Sequence, residues 1–208
     1  MNISISVVII IITVLVSFRA FSDPELKYKL IFYPYKINGE REWYRFITSG
    51  FIHADIQHLV FNMITLYFFG RNVEFYFDYL MGGSGKTVFI LFYVAAMAAA
   101  STFSYFKHKD NPGYMALGAS GAVSAVLFST ILVSPWNLIY VFLIPCPAIL
   151  FGVAYLIYSA RMAKLGRDNI GHDAHLFGAI FGVIATIVIA PETVEIFIKQ
   201  LLNPGFLQ

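Results

Sequence analysis

MALGASGAVSAV, residues 115–126, is a run of small residues inside a chain otherwise crowded with phenylalanine, isoleucine and tyrosine. From Ser120 onward, Gly121, Ser124 and Ala125 give a helix one small face, and such a face lets a second backbone come close. A matching face lies at GHDAHLFGAIFG, residues 171–182, where His175, Gly178 and Gly182 stand at i, i+3 and i+7 on one stripe. The two faces are complementary, and packed together they bring a serine hydroxyl to an imidazole. The reading of these two stretches as helices in tight contact sets the architecture of the whole chain.

Composition says where those helices sit. Of 208 residues, 59% are hydrophobic and 12% charged, and the mean hydropathy is +0.72. Soluble domains carry about 25% charged residues, so this chain has too little polar surface to cover itself in water and belongs in a bilayer. A net charge of only +2, without a basic cluster, excludes a nucleic-acid-binding role. The single cysteine, Cys146 in IPCPAIL, excludes an intramolecular disulfide and a cysteine-rich metal site, and reads as a buried packing residue.

A spanning helix needs roughly 20 apolar residues. Six segments qualify: about 3–21, 56–80, 87–106, 115–133, 136–159 and 173–199. Each must satisfy its own backbone hydrogen bonds, so an all-α bundle of six transmembrane helices is expected. Both termini then share one side. The first segment has no basic n-region, and although Ala20-Phe21-Ser22 resembles a cleavage site it is read as a retained helix. With no internal repeat, residues 1–208 read as one domain with a long first loop at about 22–52. That loop mixes charges with Tyr28, Tyr33, Tyr35, Trp43 and Tyr44, which suits the membrane interface. Ser134-Pro135 and Pro112-Gly113 read as turns.

Lysines and arginines are unevenly shared between the two sides. Lys27, Lys29, Lys36, Arg41, Arg45, Lys107, Lys109, Arg161, Lys164 and Arg167 fall on one, against Arg71, Lys86 and Lys199 on the other. By the positive-inside rule the long loop is cytoplasmic.

Ionisable and amide side chains inside a bilayer mark function by default. His53, His58 and Asn62 open the second segment, with His58 and Asn62 four apart on one face. Interhelical hydrogen-bond glue is the ordinary alternative. For the last segment a plain packing seam explains Gly178 and Gly182 but not His175. A serine is a weak nucleophile until a neighbouring base takes its proton, and Ser120 also sits where a helix N-terminus leaves backbone N–H groups free to stabilise an oxyanion. No carboxylate is placed as a third member, since Asp173 points away from His175 and Asp55 sits at the loop edge, so the pattern is a Ser–His dyad. A zinc peptidase would want a helical H-E-x-x-H, which is absent. No metal and no cofactor are expected.

In order along the chain these motifs resemble the rhomboid family of intramembrane serine proteases. Gly118-Ala-Ser120-Gly121 is similar to the family's G-x-S-G, and Ala174-His175-Leu-Phe-Gly178-Ala-Ile-Phe-Gly182 to its A-H-x-x-G-x-x-x-G. His53, His58 and Asn62 reproduce its H-x-x-x-x-H-x-x-x-N, and Tyr44-Arg45 resembles its Trp-Arg pair. The resemblance implies a rhomboid-like six-helix bundle and an endopeptidase that cleaves transmembrane segments of membrane proteins. It implies Ser120 as nucleophile and His175 as base, with His58, Asn62 and Gly118 around the oxyanion beside the Ser120 N–H. It implies structural support from His53, Arg45, Glu74, Gly121, Gly178, Gly182 and Ser124. Ser124 stands where many members carry a tyrosine stacked on the catalytic imidazole. A bacterial plasma membrane is the implied setting, with the site open to the non-cytoplasmic side, against the lysine and arginine count. The alternatives are a catalytically inactive rhomboid-like protein that binds membrane clients, and a small transporter, which would need polar residues through the full membrane depth.

Overall fold

A computed structural model describes residues 3–141, 144–165 and 171–204; Arg167 lies outside the described residues. The order of elements is α1 (Ile5–Phe21), α2 (Pro24–Leu30), α3 (Pro34–Glu40), α4 (Arg45–Thr48), α5 (Ile56–Thr65), α6 (Arg71–Met81), α7 (Gly85–His108) and α8 (Ser120–Val133). After them come β1 (Leu138–Val141), β2 (Ile144–Pro147), α9 (Ala148–Leu165), α10 (His172–Ile189) and α11 (Thr193–Leu202). Among the described residues α7, α9 and α10 are long and apolar enough to cross a membrane, and α1 and α8 are shorter apolar helices. The protein is an integral membrane protein built as a helical bundle.

At its centre stands α8, in which every residue from Gly121 to Leu132 is buried. Against it α10 packs as a ladder with a four-residue step. A Cβ at Gly178 would strike the Gly121 backbone, and one at Gly182 the Ala125 backbone. One step further the hydroxyls of Thr186 and Ser129 lie 2.7 Å apart. Glycine is required at both rungs because the obstacle is backbone, which cannot rotate away. The rest of the core gathers Leu59, Met63, Leu66, Phe77, Phe89, Phe92 and Met97 around α8.

Three of the expected segments are not single helices. Residues 56–80 form α5 and α6 joined by a π-helical turn at Leu66–Gly70, and a Cβ at Gly70 would meet Ser6 of α1 at 3.0 Å from its Cβ. The expected span at 136–159 is corrected: β1 and β2 pair antiparallel, Leu138 with Pro147 and Tyr140 with Pro145, and only then does α9 begin. A proline in a helix interior costs about 3 kcal/mol, and two of them rule the helix out. The span at 173–199 is also corrected, because Pro191 ends α10 and α11 starts as a separate helix. Finally, α8 begins at Ser120 and not at 115.

The N-terminus of α1 is held by Glu74 of α6. Its carboxylate accepts from Ser4 Oγ at 2.6 Å, Ile5 N at 2.9 Å and both N and Oγ of Ser6 at 3.1 Å. The first N–H groups of a helix have no partner within it, and here a remote carboxylate supplies one.

Residues 22–52 are folded as α2, α3, α4 and a 3₁₀ turn. Arg45, 2% exposed, organises them: Nε donates to Glu42 at 2.6 Å, and Nη1 to the carbonyls of Tyr28 and Ile31 at 2.8 Å each. Thr48 Oγ1 donates to the Leu30 carbonyl at 2.9 Å. The loop in turn grips the strand that leads into Ser120. Phe32 and Ala116 exchange backbone hydrogen bonds of 2.9 and 3.0 Å, and Gly118 N donates to Ser49 O at 2.9 Å.

Candidate active site

Three things meet at the start of α8: the gripped strand 116–119, the N-terminal end of α5 and the N-terminal end of α10. The serine comes first. Gly118 has φ +117°, a backbone conformation that side chains avoid, and it turns the strand into the helix. A Cβ there would lie 2.6 Å from His58 Cε1. The missing side chain therefore lets the His58 imidazole rest on the backbone two residues before Ser120.

His58 is aimed by its own helix. Asp55 caps α5, its Oδ1 accepting from His58 N at 2.8 Å. One turn on, buried Asn62 donates from Nδ2 to His58 O at 3.0 Å. That bond uses one of its two amide protons.

His53 is fully buried and belongs to the scaffold. Its Nε2 accepts from Ala119 N at 3.4 Å, so Nδ1 carries the proton and donates to Ser17 Oγ at 2.9 Å, which itself donates to Phe51 O at 3.0 Å. Burial first, then the neighbouring His58, push its pKa down to about 3. A neutral ring is what this one-donor, one-acceptor arrangement requires.

His175 arrives through the seam. A Cβ at Gly121 would stand 3.3 Å from Ala174 O and 3.7 Å from Ala174 Cβ, so the residues directly following Ser120 and directly preceding His175 are in contact. Ser120, His58 and His175 are all partly exposed.

Two carboxylates weighed from the sequence are engaged elsewhere. Asp173 accepts from Lys107 Nζ at 2.8 Å, and Asp55 is the α5 cap. Gly118, expected around the oxyanion, gives its own N–H to Ser49 O. Its part is the turn and the gap that His58 fills. Ser120 N–H opens α8 and so has no acceptor within the helix. Among the described residues no group of three or more His, Cys, Asp and Glu is arranged to hold a metal ion.

Sequence reasoning missed two neighbours. His172 packs edge-on to His175, ring centroids 5.7 Å apart, and Tyr155 of α9 stacks on His175 at 6.0 Å and 22°. The first sits in the same motif and was legible as a neighbour. Nothing in the sequence marks the second.

A family model described as the Rhomboid domain matches residues 40–192. The chain belongs to the rhomboid family. It is 40% identical over 148 residues to RHOMBOID-like protein 12, mitochondrial, of Arabidopsis thaliana, a match covering 67% of this chain and 44% of that protein. It is 31% identical over 147 residues to Rhomboid protease GluP of Bacillus subtilis (strain 168), covering 71% of this chain and 27% of that protein. To Putative rhomboid protease YdcA of the same organism it is 28% identical over 153 residues, covering 71% and 66%. The chain thus spans less than half the length of the first two relatives. The matched region of this rhomboid chain contains His53, His58, Asn62, Ser120 and His175 together.

Proposed function

We propose that this rhomboid-family chain is an intramembrane serine endopeptidase that cleaves transmembrane segments of membrane proteins. The observation that carries the reading is the contact of Gly121 with Ala174 and Gly178, which ties the surroundings of Ser120 to those of His175 through backbone that cannot retreat.

In the proposed cycle Ser120 Oγ attacks a peptide carbonyl as His175 takes its proton. The oxyanion is met by the Ser120 N–H, the His58 ring and the second Asn62 N–H. Collapse expels the amine, which takes the proton from His175, and leaves an acyl-enzyme. Water, with His175 again as base, hydrolyses that ester. A helical substrate must unwind to present its carbonyl, so segments rich in small or helix-breaking residues are preferred.

Water must reach a site inside a bilayer, and the length of α8 supports a recess. Fourteen residues make a helix of about 21 Å, roughly 9 Å short of a hydrocarbon core about 30 Å thick. Ser120 then opens at the floor of a cavity. Relatives named as proteases support the chemistry. Those relatives are bacterial, whereas RHOMBOID-like protein 12 is named as mitochondrial, so a bacterial plasma membrane has no more support than an organelle membrane. The non-cytoplasmic facing of the site is likewise a proposal.

The test is cleavage of a model single-span substrate by the detergent-purified chain. Activity in the parent that disappears in Ser120→Ala and His175→Ala is expected. The rival, a client-binding protein without catalysis, draws on a relative that is named rhomboid-like and not protease. Substrate capture without cleavage, unchanged in both variants, would establish it.

A further inference from the structure

One turn after Ser120, the Ser124 side chain is 4% exposed and its hydroxyl donates to the Ser120 carbonyl at 2.8 Å. That commits its only proton. The Tyr155 hydroxyl, 2.6 Å from Ser124 Oγ, is therefore the donor of the next bond. The chain runs Tyr155 O–H to Ser124 O–H to Ser120 C=O. At its other end, the Tyr155 ring lies nearly parallel to the His175 imidazole, with centroids 6.0 Å apart and planes 22° from each other. Offset stacks occupy about 4.5–7 Å. One side chain of α9 thus touches both the helix that bears the serine and the ring expected to take its proton.

The reach of α9 has a local cause. Gly152 precedes Tyr155 by three residues and shares its face. A Cβ at Gly152 would lie 2.9 Å from Ile131 Cδ1 and 3.5 Å from Phe128 Cε1, so the glycine lets α9 close on α8. The Tyr155 ring is then wedged between Phe128 at 5.8 Å and Phe151 at 5.9 Å. A serine at 124 is small enough to leave this space and polar enough to anchor the phenol.

We propose that Tyr155 is a positioning residue for the His175 imidazole, held in place by the Ser124 hydroxyl. Its ring forms one wall of the imidazole site and fixes the plane in which the base faces Ser120. Ser124 and Tyr155 act as one device, contributed by two helices. This inference rests on the protease reading.

The experiment measures kcat and KM on a model transmembrane substrate, the rate of fluorophosphonate labelling of the purified full chain, and melting temperature. The variants are Tyr155→Leu, Tyr155→Phe, Ser124→Ala and the Ser124→Ala/Tyr155→Phe double. Tyr155→Leu should lower kcat and labelling roughly 10- to 100-fold, the scale of a misplaced catalytic group, with KM within about twofold because substrate contacts are kept. Tyr155→Phe keeps the ring and should retain most of that activity, losing about threefold to tenfold with the tether. Ser124→Ala should match it, and the double should fall no further, because both changes remove one hydrogen bond. Parent kcat in Tyr155→Leu overturns the proposal, as does a double variant whose losses add. A drop in melting temperature with kcat untouched overturns it too, leaving Tyr155 a packing residue. If Tyr155→Leu does not fold, Tyr155→Phe and Ser124→Ala decide the matter by the same criteria. A parent chain inert to both substrate and fluorophosphonate refutes the protease reading itself, before any variant is compared.

Discussion

Gly178→Ala adds a single methyl group at the point where α8 and α10 touch. Its carbon would lie 2.8 Å from the Gly121 carbonyl carbon and 3.1 Å from its Cα, and closer still to the carbonyl oxygen. Ordinary contact needs 3.4 Å or more, and every obstacle is backbone, so the helices must part locally. Alanine gains about 1 kcal/mol of helix propensity over glycine, whereas overpacking costs about 1–3 kcal/mol. Because every obstacle is backbone the collision sits at the upper end of that range, and the two figures leave a net loss of up to about 2 kcal/mol. Activity should suffer more than stability. His175 lies one turn before Gly178 on the same stripe, and a shift of about 1 Å at a reacting group costs on the order of 100-fold in rate. Gly39→Ala is the control, since nothing lies within 4 Å of a Cβ there. Melting temperature in detergent and cleavage of a model substrate read both effects. A Gly178→Ala chain with parent melting temperature and parent activity would refute the seam argument.

Glu74→Gln should lower the melting temperature, because a neutral amide replaces a carboxylate that accepts four hydrogen bonds from residues 4–6; charge-assisted bonds of this kind are worth about 1.5–3 kcal/mol each at most, and an unchanged melting curve would remove Glu74 as the α1 anchor. His58→Ala and Asn62→Ala should each lower kcat by roughly 100-fold while melting normally, the effect of losing one oxyanion donor, and parent kcat in either would take that residue out of the site. Orientation is read by cysteine labelling in sealed vesicles. Cys146 in β2 and a cysteine introduced as Lys29→Cys, in a Cys146→Ser background, lie at opposite ends of α8 and should label from opposite sides; the proposal puts position 29 on the non-cytoplasmic side, and labelling from the cytoplasmic side would reverse it.

The α8–α10 seam was legible because its signal is local: small residues at helical spacing on both partners, with a serine on one and a histidine on the other. The paired strands β1 and β2 were not, since a short apolar run looks the same as strand or helix, and only Pro145 and Pro147 argued against a span. Pro191 similarly divides what hydropathy alone joins. The long loop announced itself by its aromatics, yet its task came from remote pairings: Phe32 with Ala116, and Ser49 with Gly118. The same pairing commits the Gly118 N–H to Ser49 O, which no spacing rule reveals. Ser124 was visible as a departure from the family pattern. Its partner, Tyr155, sits 31 residues away on a helix without a motif, and only packing brings the two together.

The most direct test of the central claim is the site of covalent labelling. Treat the detergent-purified chain with a fluorophosphonate and map the adduct by peptide mass spectrometry. The account predicts modification of Ser120, lost in His175→Ala. No adduct, an adduct on another serine, or equal labelling of Ser120 without His175 would contradict it.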